Sequence, residues 1–127
     1  MKFKGILALL LCTITVTGSL FAEQKSQHKI PESDIKATFI ELGSVNCIPC
    51  RAMQPIMKEI ENEYGGQVTV VFFDVWTEAG QPYSEKYKIL AIPTQVFLDK
   101  KGKEYFRHIG FFPKKEIVKI LKRAGVK

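Results

Sequence analysis

Apolar residues in this chain fall into short runs divided by polar stretches bearing glycine and proline, and their spacing changes from run to run. Ala37 to Leu42 (ATFIEL) is a β-prone run closed by Gly43-Ser44. Met53, Ile56, Met57, Ile60 and Tyr64 then recur at three- and four-residue steps, which predicts one buried helix face. Pro55 interrupts that helix, so a kink is expected near Arg51 and Ala52, and Gly65-Gly66 ends it. Val68 to Val75 (VTVVFFDV) is almost unbroken in β-branched and aromatic residues, as a strand covered on both faces would be. Ala79 to Leu90 is a weaker helix candidate. Thr94 to Leu98 and Glu104 to Ile109 read as strands, and the turn Asp99-Lys100-Lys101-Gly102 makes them a hairpin. A last helix follows Pro113, with Ile117, Val118, Ile120, Leu121 and Ala124 inward and Gly125 as its stop. The order β-α-β-α-β-β-α predicts an α/β fold. Its mixed central sheet is built from a parallel βαβ unit and an antiparallel hairpin, and helices flank it.

The start of the chain has a different character. Lys2 and Lys4 precede a mainly apolar stretch from Gly5 to Val16, and Gly18-Ser19-Leu20-Phe21-Ala22 leads into the charged Glu23. That order predicts a secretory signal peptide over residues 1–22, cleaved after Ala22. The competing reading is an uncleaved membrane anchor, which Thr13, Thr15, Thr17, Gly18 and Ser19 would make a weak span. Bulky Leu11 before Cys12 argues against a lipid-anchored form. Residues 23–34 are polar and aperiodic and read as a flexible lead-in, which leaves 35–127 as the domain. Cleavage would leave 105 residues and remove Lys2 and Lys4, so the net charge would fall from +6 to +4. The remaining excess is scattered over Lys100, Lys101, Lys103, Lys114 and Lys115. That pattern suits a solvated surface and argues against nucleic acid as a partner.

Cysteine usage changes the picture most. Of three cysteines, Cys12 leaves with the leader, and Cys47 and Cys50 are separated only by Ile48 and Pro49. A disulfide closing so short a loop adds little stability, so its value is expected to be redox. The pair lies where a strand ends and a helix begins. Unpaired backbone N–H groups and the helix dipole there stabilise a thiolate, making Cys47 a nucleophile and Cys50 the thiol that resolves the mixed disulfide. Pro49 at an early helix position costs no hydrogen bond. Zinc is the competing chemistry, but a structural site asks for four ligands. One CxxC with the distant His28 and His108 supplies no second spaced pair. No metal or other cofactor is called for, because the cysteine pair itself carries the electrons.

The CxxC at a strand-to-helix junction, Pro55 in the following helix, Ile92-Pro93-Thr94 before a strand and Gly110 after the hairpin together resemble the thioredoxin superfamily, over roughly Ala37 to Ala124. The resemblance implies a thioredoxin-like fold and thiol–disulfide oxidoreductase activity. It further implies a cis Ile92–Pro93 bond beside the cysteines. A shallow substrate groove would then be formed by Ile48, Pro49, Ile92, Thr94, Gly110 and Phe111. Glu41 lies six residues before Cys47, where thioredoxins have a buried aspartate that exchanges a proton with the second cysteine. A buried carboxyl with a raised pKa suits that task. Strand alternation places Phe39 and Glu41 on one face.

Departures from the family pattern bear on the direction of electron flow. Asn46 stands where a tryptophan commonly precedes the first cysteine, the central dipeptide is Ile48-Pro49, and the lysine common on the next strand is missing from VVFFDV, with Phe72 or Asp74 in its neighbourhood. The uncharged centre and the isoleucine before Pro93 resemble the reducing branch. The expected role is therefore a monomeric periplasmic, or otherwise extracytoplasmic, reductase of disulfide-containing exported proteins such as apocytochromes, recharged by a membrane thiol-electron transporter. A disulfide oxidase or isomerase of the same fold is the alternative, and a non-catalytic binding module is a third. Trp76 and Tyr83 either edge the active face or pack over the sheet. Phe111-Phe112 either contacts a partner or packs on the last helix.

Overall fold

The computed structural model describes residues 34–127, so the leader, Cys12, His28 and all of the lead-in except Asp34 lie outside the described residues. The elements run β1 (Ala37–Gly43), α1 (Ile48–Tyr64), β2 (Val68–Asp74), α2 (Gln81–Lys86), β3 (Thr94–Asp99), β4 (Glu104–Ile109) and α3 (Lys114–Arg123). They form a four-stranded sheet in the order β2-β1-β3-β4. β1 and β2 are parallel, while β3 is antiparallel to both β1 and β4.

Alternation along the strands sends side chains to two separate cores. Phe39, Val68 and Phe97 meet Met53, Met57 and Ile60 of α1 and Ile117, Ile120 and Leu121 of α3. The rings of Phe39 and Phe97, cross-strand partners, stack at 5.0 Å. On the opposite face, Ile40, Leu42 and Val96 pack with Phe73, Tyr83 and Tyr87 around α2. Central β1 is thus buried along nearly its whole length. α1 buries Cys50, Met53, Met57 and Ile60, a stripe at helical spacing, and it runs unbroken past Pro55.

Two expectations need correction. β2 is covered on both faces only in part, Val70 and Phe72 packing on one core and Val71 and Phe73 on the other. Among the described residues it is an edge strand, as is β4, with Thr69 exposed and Val70 to Asp74 half-buried. A continuous apolar run marks a strand with some cover on each face but does not say whether a neighbour lies beyond it. α2 spans only six residues of the predicted twelve, because Lys88 takes a positive φ of 50° and the chain leaves the helix there. Among the described residues no helix is long and apolar enough to cross a membrane.

Candidate active site

One end of the sheet gathers the chemistry. Gly43 closes β1, with Asp74 of β2 as its partner on one side. On the other side Leu42 pairs with Thr94, and Thr94 pairs in turn with Ile109. Chain order then places Ser44 to Cys50, Pro93 and Gly110 around this rim.

Cys47 is the N-cap of α1, in extended conformation, and its carbonyl accepts the Arg51 N–H at 2.9 Å. The first-turn N–H groups of Ile48 and Cys50 have no carbonyl a turn earlier, and Pro49 carries none. No acidic residue sits in that first turn to oppose a thiolate. Cys47 and Cys50 are joined as a disulfide with their Cα atoms 5.2 Å apart. The two sulfurs differ in access, for Cys47 is half-buried whereas Cys50 is fully buried. Cys50 lies directly over Gly43, where an added Cβ would come within 3.1 Å of both its Cβ and its Sγ.

The Ile92–Pro93 peptide bond is cis, and Pro93 is buried level with Gly43. Its carbonyl accepts the N–H of Gly110 at 2.8 Å, and Gly110 has a φ of 97° that favours glycine. Thr94 is fully buried and donates its hydroxyl to the Ala91 carbonyl at 2.6 Å, so its side chain braces the loop and is not offered to the groove. Among the described residues, the N–H and carbonyl of Ile92 have no hydrogen-bond partner. Among the described residues the large apolar side chains left exposed are Val45, Ile48, Trp76, Leu90, Ile109 and Phe111. Trp76, Leu90 and Ile92 also line a groove of about 350 Å³. The aromatic pair after Gly110 divides. Phe111 faces solvent, whereas Phe112 is buried, stacks on His108 at 4.1 Å and donates its N–H to Met53 Sδ.

Glu41 is fully buried on the α1 face of β1, two residues before Gly43. Its register partner in β2 is Phe72 and in β3 is Gln95, so it has no cationic cross-strand neighbour. Burial pushes its carboxyl up to about 8, against a smaller opposite pull from the Gln95 amide. Gln95, also fully buried, was not singled out by sequence reasoning. A glutamine in the otherwise apolar run Val96-Phe97-Leu98 was the available signal.

Asp74 has a structural task here. Its carboxylate accepts the N–H groups of Val45 and Trp76, both at 3.1 Å, and these bonds hold its pKa below the usual carboxylate value. It therefore ties the loop leading into Cys47 to the loop leading into α2. Asp74→Ala should lower the rate of insulin-disulfide reduction several-fold while leaving the far-ultraviolet circular dichroism unchanged. An unaltered rate would remove Asp74 from this role.

The family model of the thioredoxin-like domain matches residues 24–125. The chain belongs to the thioredoxin-like family. It is 27% identical over 90 residues to a thioredoxin of Staphylococcus epidermidis, covering 71% of this chain and 82% of that one. Among solved structures, chloroplastic thioredoxin z superposes with a TM-score of 0.63 at 26% identity, over 73% of this chain and 81% of the other. The exposed lipoprotein thioredoxin of Streptococcus pneumoniae superposes with a TM-score of 0.62 at 25% identity, over 71% and 86%. With its cysteine pair at disulfide distance on this fold, the thioredoxin-like chain is a thiol–disulfide oxidoreductase.

Proposed function

We propose that this oxidoreductase works outside the cytoplasm and runs its exchange in the reducing direction, on disulfides of exported proteins. The carrying observation is the half-exposed Cys47 beside the unpartnered Ile92 backbone and an apolar rim. That is a place where an extended polypeptide can add its own backbone hydrogen bonds and present a cystine. The signal-like pattern of residues 1–22 supports the location, and so does similarity to a thioredoxin described as an exposed lipoprotein. The uncharged Ile48-Pro49 centre and Ile92 before Pro93 support the direction. Exported apocytochromes fit as substrates because their cysteines must be reduced, and a membrane thiol-electron transporter fits as the electron source. The chain acts as a monomer in this scheme.

The exchange runs in two steps. Cys47 thiolate attacks one substrate sulfur, breaking the substrate S–S bond and releasing the first substrate thiolate. Cys50 then loses its proton to Glu41 and attacks Cys47 Sγ. The internal disulfide forms as the mixed disulfide breaks, and the second substrate thiolate departs to be protonated by solvent. Two electrons have passed from the dithiol to the substrate. Cys50, buried over Gly43, is shielded from any sulfur but Cys47, which suits it to the resolving step only.

Equilibration with glutathione buffers tests the direction. The expected potential lies below that of the glutathione couple, towards the about −270 mV of thioredoxins. A value well above glutathione would overturn the reductase reading in favour of an oxidase or isomerase.

A further inference from the structure

We propose that Gln95 is a positioning residue for the resolving step, holding one oxygen of Glu41 so that the other is left to exchange the proton of Cys50. The proposal rests on the role given above to Glu41, and it adds a residue to which no role has been attached. Its basis is geometric. Gln95 Nε2 donates to Glu41 Oε2 at 3.0 Å across the β1–β3 pair, and both residues are fully buried. Glu41 Oε1 and Gln95 Oε1 are likewise buried, with no hydrogen-bond partner among the described residues. The nitrogen, not the oxygen, of the amide must face the carboxylate, since two acceptors would repel. Oε2 is therefore committed. Oε1 is the atom at which a proton can be gained or lost without breaking a bond.

What surrounds the pair makes the amide decisive. Phe72 is the β2 neighbour of Glu41 and supplies no charge. Gly43, two residues along the same face, brings the strand directly beneath Cys50. The titratable groups on this face include Cys50 from α1, Asp74 at the end of β2, and His108, which lies opposite Gln95 on β4 and bonds to the Phe111 carbonyl at 3.2 Å. Tyr64 and Tyr105 also pack on this side, and the Tyr105 hydroxyl is engaged in donating to the Ile120 carbonyl at 3.2 Å. Lys58 and Glu61, at the margin of the α1–β2 groove, are paired with each other at 2.8 Å. Asp74 is occupied with Val45 and Trp76. Gln95 is thus the one side chain found donating to the carboxyl, and a hydrogen bond to an ionised carboxylate favours ionisation. Without it the buried carboxyl would hold its proton to higher pH.

The test is the pH dependence of substrate reduction between pH 6 and 10 for the wild type, Gln95→Met, Glu41→Gln and the double variant. Methionine keeps the volume and removes the donor. The rise of rate with pH should move upward by about one unit in Gln95→Met, a loss of up to about tenfold near pH 7 that disappears at high pH. Adding Gln95→Met to Glu41→Gln should change nothing further. An unmoved profile in Gln95→Met, or an equal shift in the Glu41→Gln background, would overturn the role of Gln95 while leaving that of Glu41 standing. A Glu41→Gln profile identical to wild type would overturn both. Should Gln95→Met fold poorly, the wild-type protein still decides. Its Gln95 side-chain amide resonances must shift with the same midpoint as the Glu41 carboxyl carbon, and amide resonances indifferent to that titration would sink the proposal.

Discussion

Cys47→Ser will abolish turnover, and Cys50→Ser will arrest it one step later with substrate still attached to Cys47. The two outcomes differ because the two sulfurs occupy different places. Cys47 caps α1, is half-buried, and meets the unpaired N–H groups of the first helical turn, so its thiolate is both stabilised and reachable. A serine hydroxyl in that position stays protonated and does not attack sulfur. The loss in insulin-reduction rate should be on the order of a thousandfold or more. Cys50 is fully buried beneath that turn and above Gly43, where no substrate cystine reaches it. Its removal leaves the first attack intact and blocks escape, so a mixed disulfide should accumulate in stoichiometric amount. That species disappears on addition of dithiothreitol, and its mass identifies the substrate. Absence of any cysteine-dependent turnover, with wild type and both variants equally inactive, is what a pure binding module would show instead. Sustained turnover by Cys50→Ser alone would refute its resolving role.

Much of this site is legible in the sequence. Cys47-Ile48-Pro49-Cys50 follows a run that alternates as a strand and precedes one that repeats as a helix, so local periodicity alone puts the pair at a helix N-terminus. The strand hairpin was legible for the same reason, because Asp99 to Gly102 supplies turn residues between two alternating runs. Less legible were relations across strands. Periodicity puts Glu41 on the same face as Phe39, but only the register shows that its neighbours are Phe72 and Gln95. The same holds for Asp74, whose carboxylate reaches back 29 residues to the Val45 N–H. Phe111 and Phe112 were a single apolar pair in the sequence. The turn after Gly110 separates them, sending one to solvent and the other onto Met53. Short-range patterns specify elements, whereas pairing and close approach depend on how those elements meet.

Unfolding by urea should show a stability that falls as pH rises from about 5 to 9, and Glu41→Gln should remove that fall. Glu41 ordinarily titrates near 4.5, and in the folded protein burial raises it to about 8. Below the lower value both states hold the proton and the group contributes no pH dependence. Between the two, the folded state keeps a proton that the unfolded chain has released. Stability then drops by about 1.36 kcal/mol per pH unit until the folded carboxyl ionises too. The accumulated cost above pH 8 is on the order of 5 kcal/mol, a large share of the total stability of about 5–15 kcal/mol usual for a small domain. Glutamine fills the same space with no charge to desolvate, so the variant should be the more stable protein at pH 9 and nearly equal to wild type at pH 5. The comparison must be made on the oxidised forms, so that thiol titration does not enter. Parallel stability curves for the two proteins across this window would show that Glu41 is not the group held protonated by burial. A cost confined to high pH, coupled to loss of the resolving step in the variant, is what a proton acceptor kept beneath Cys50 at the expense of stability would produce.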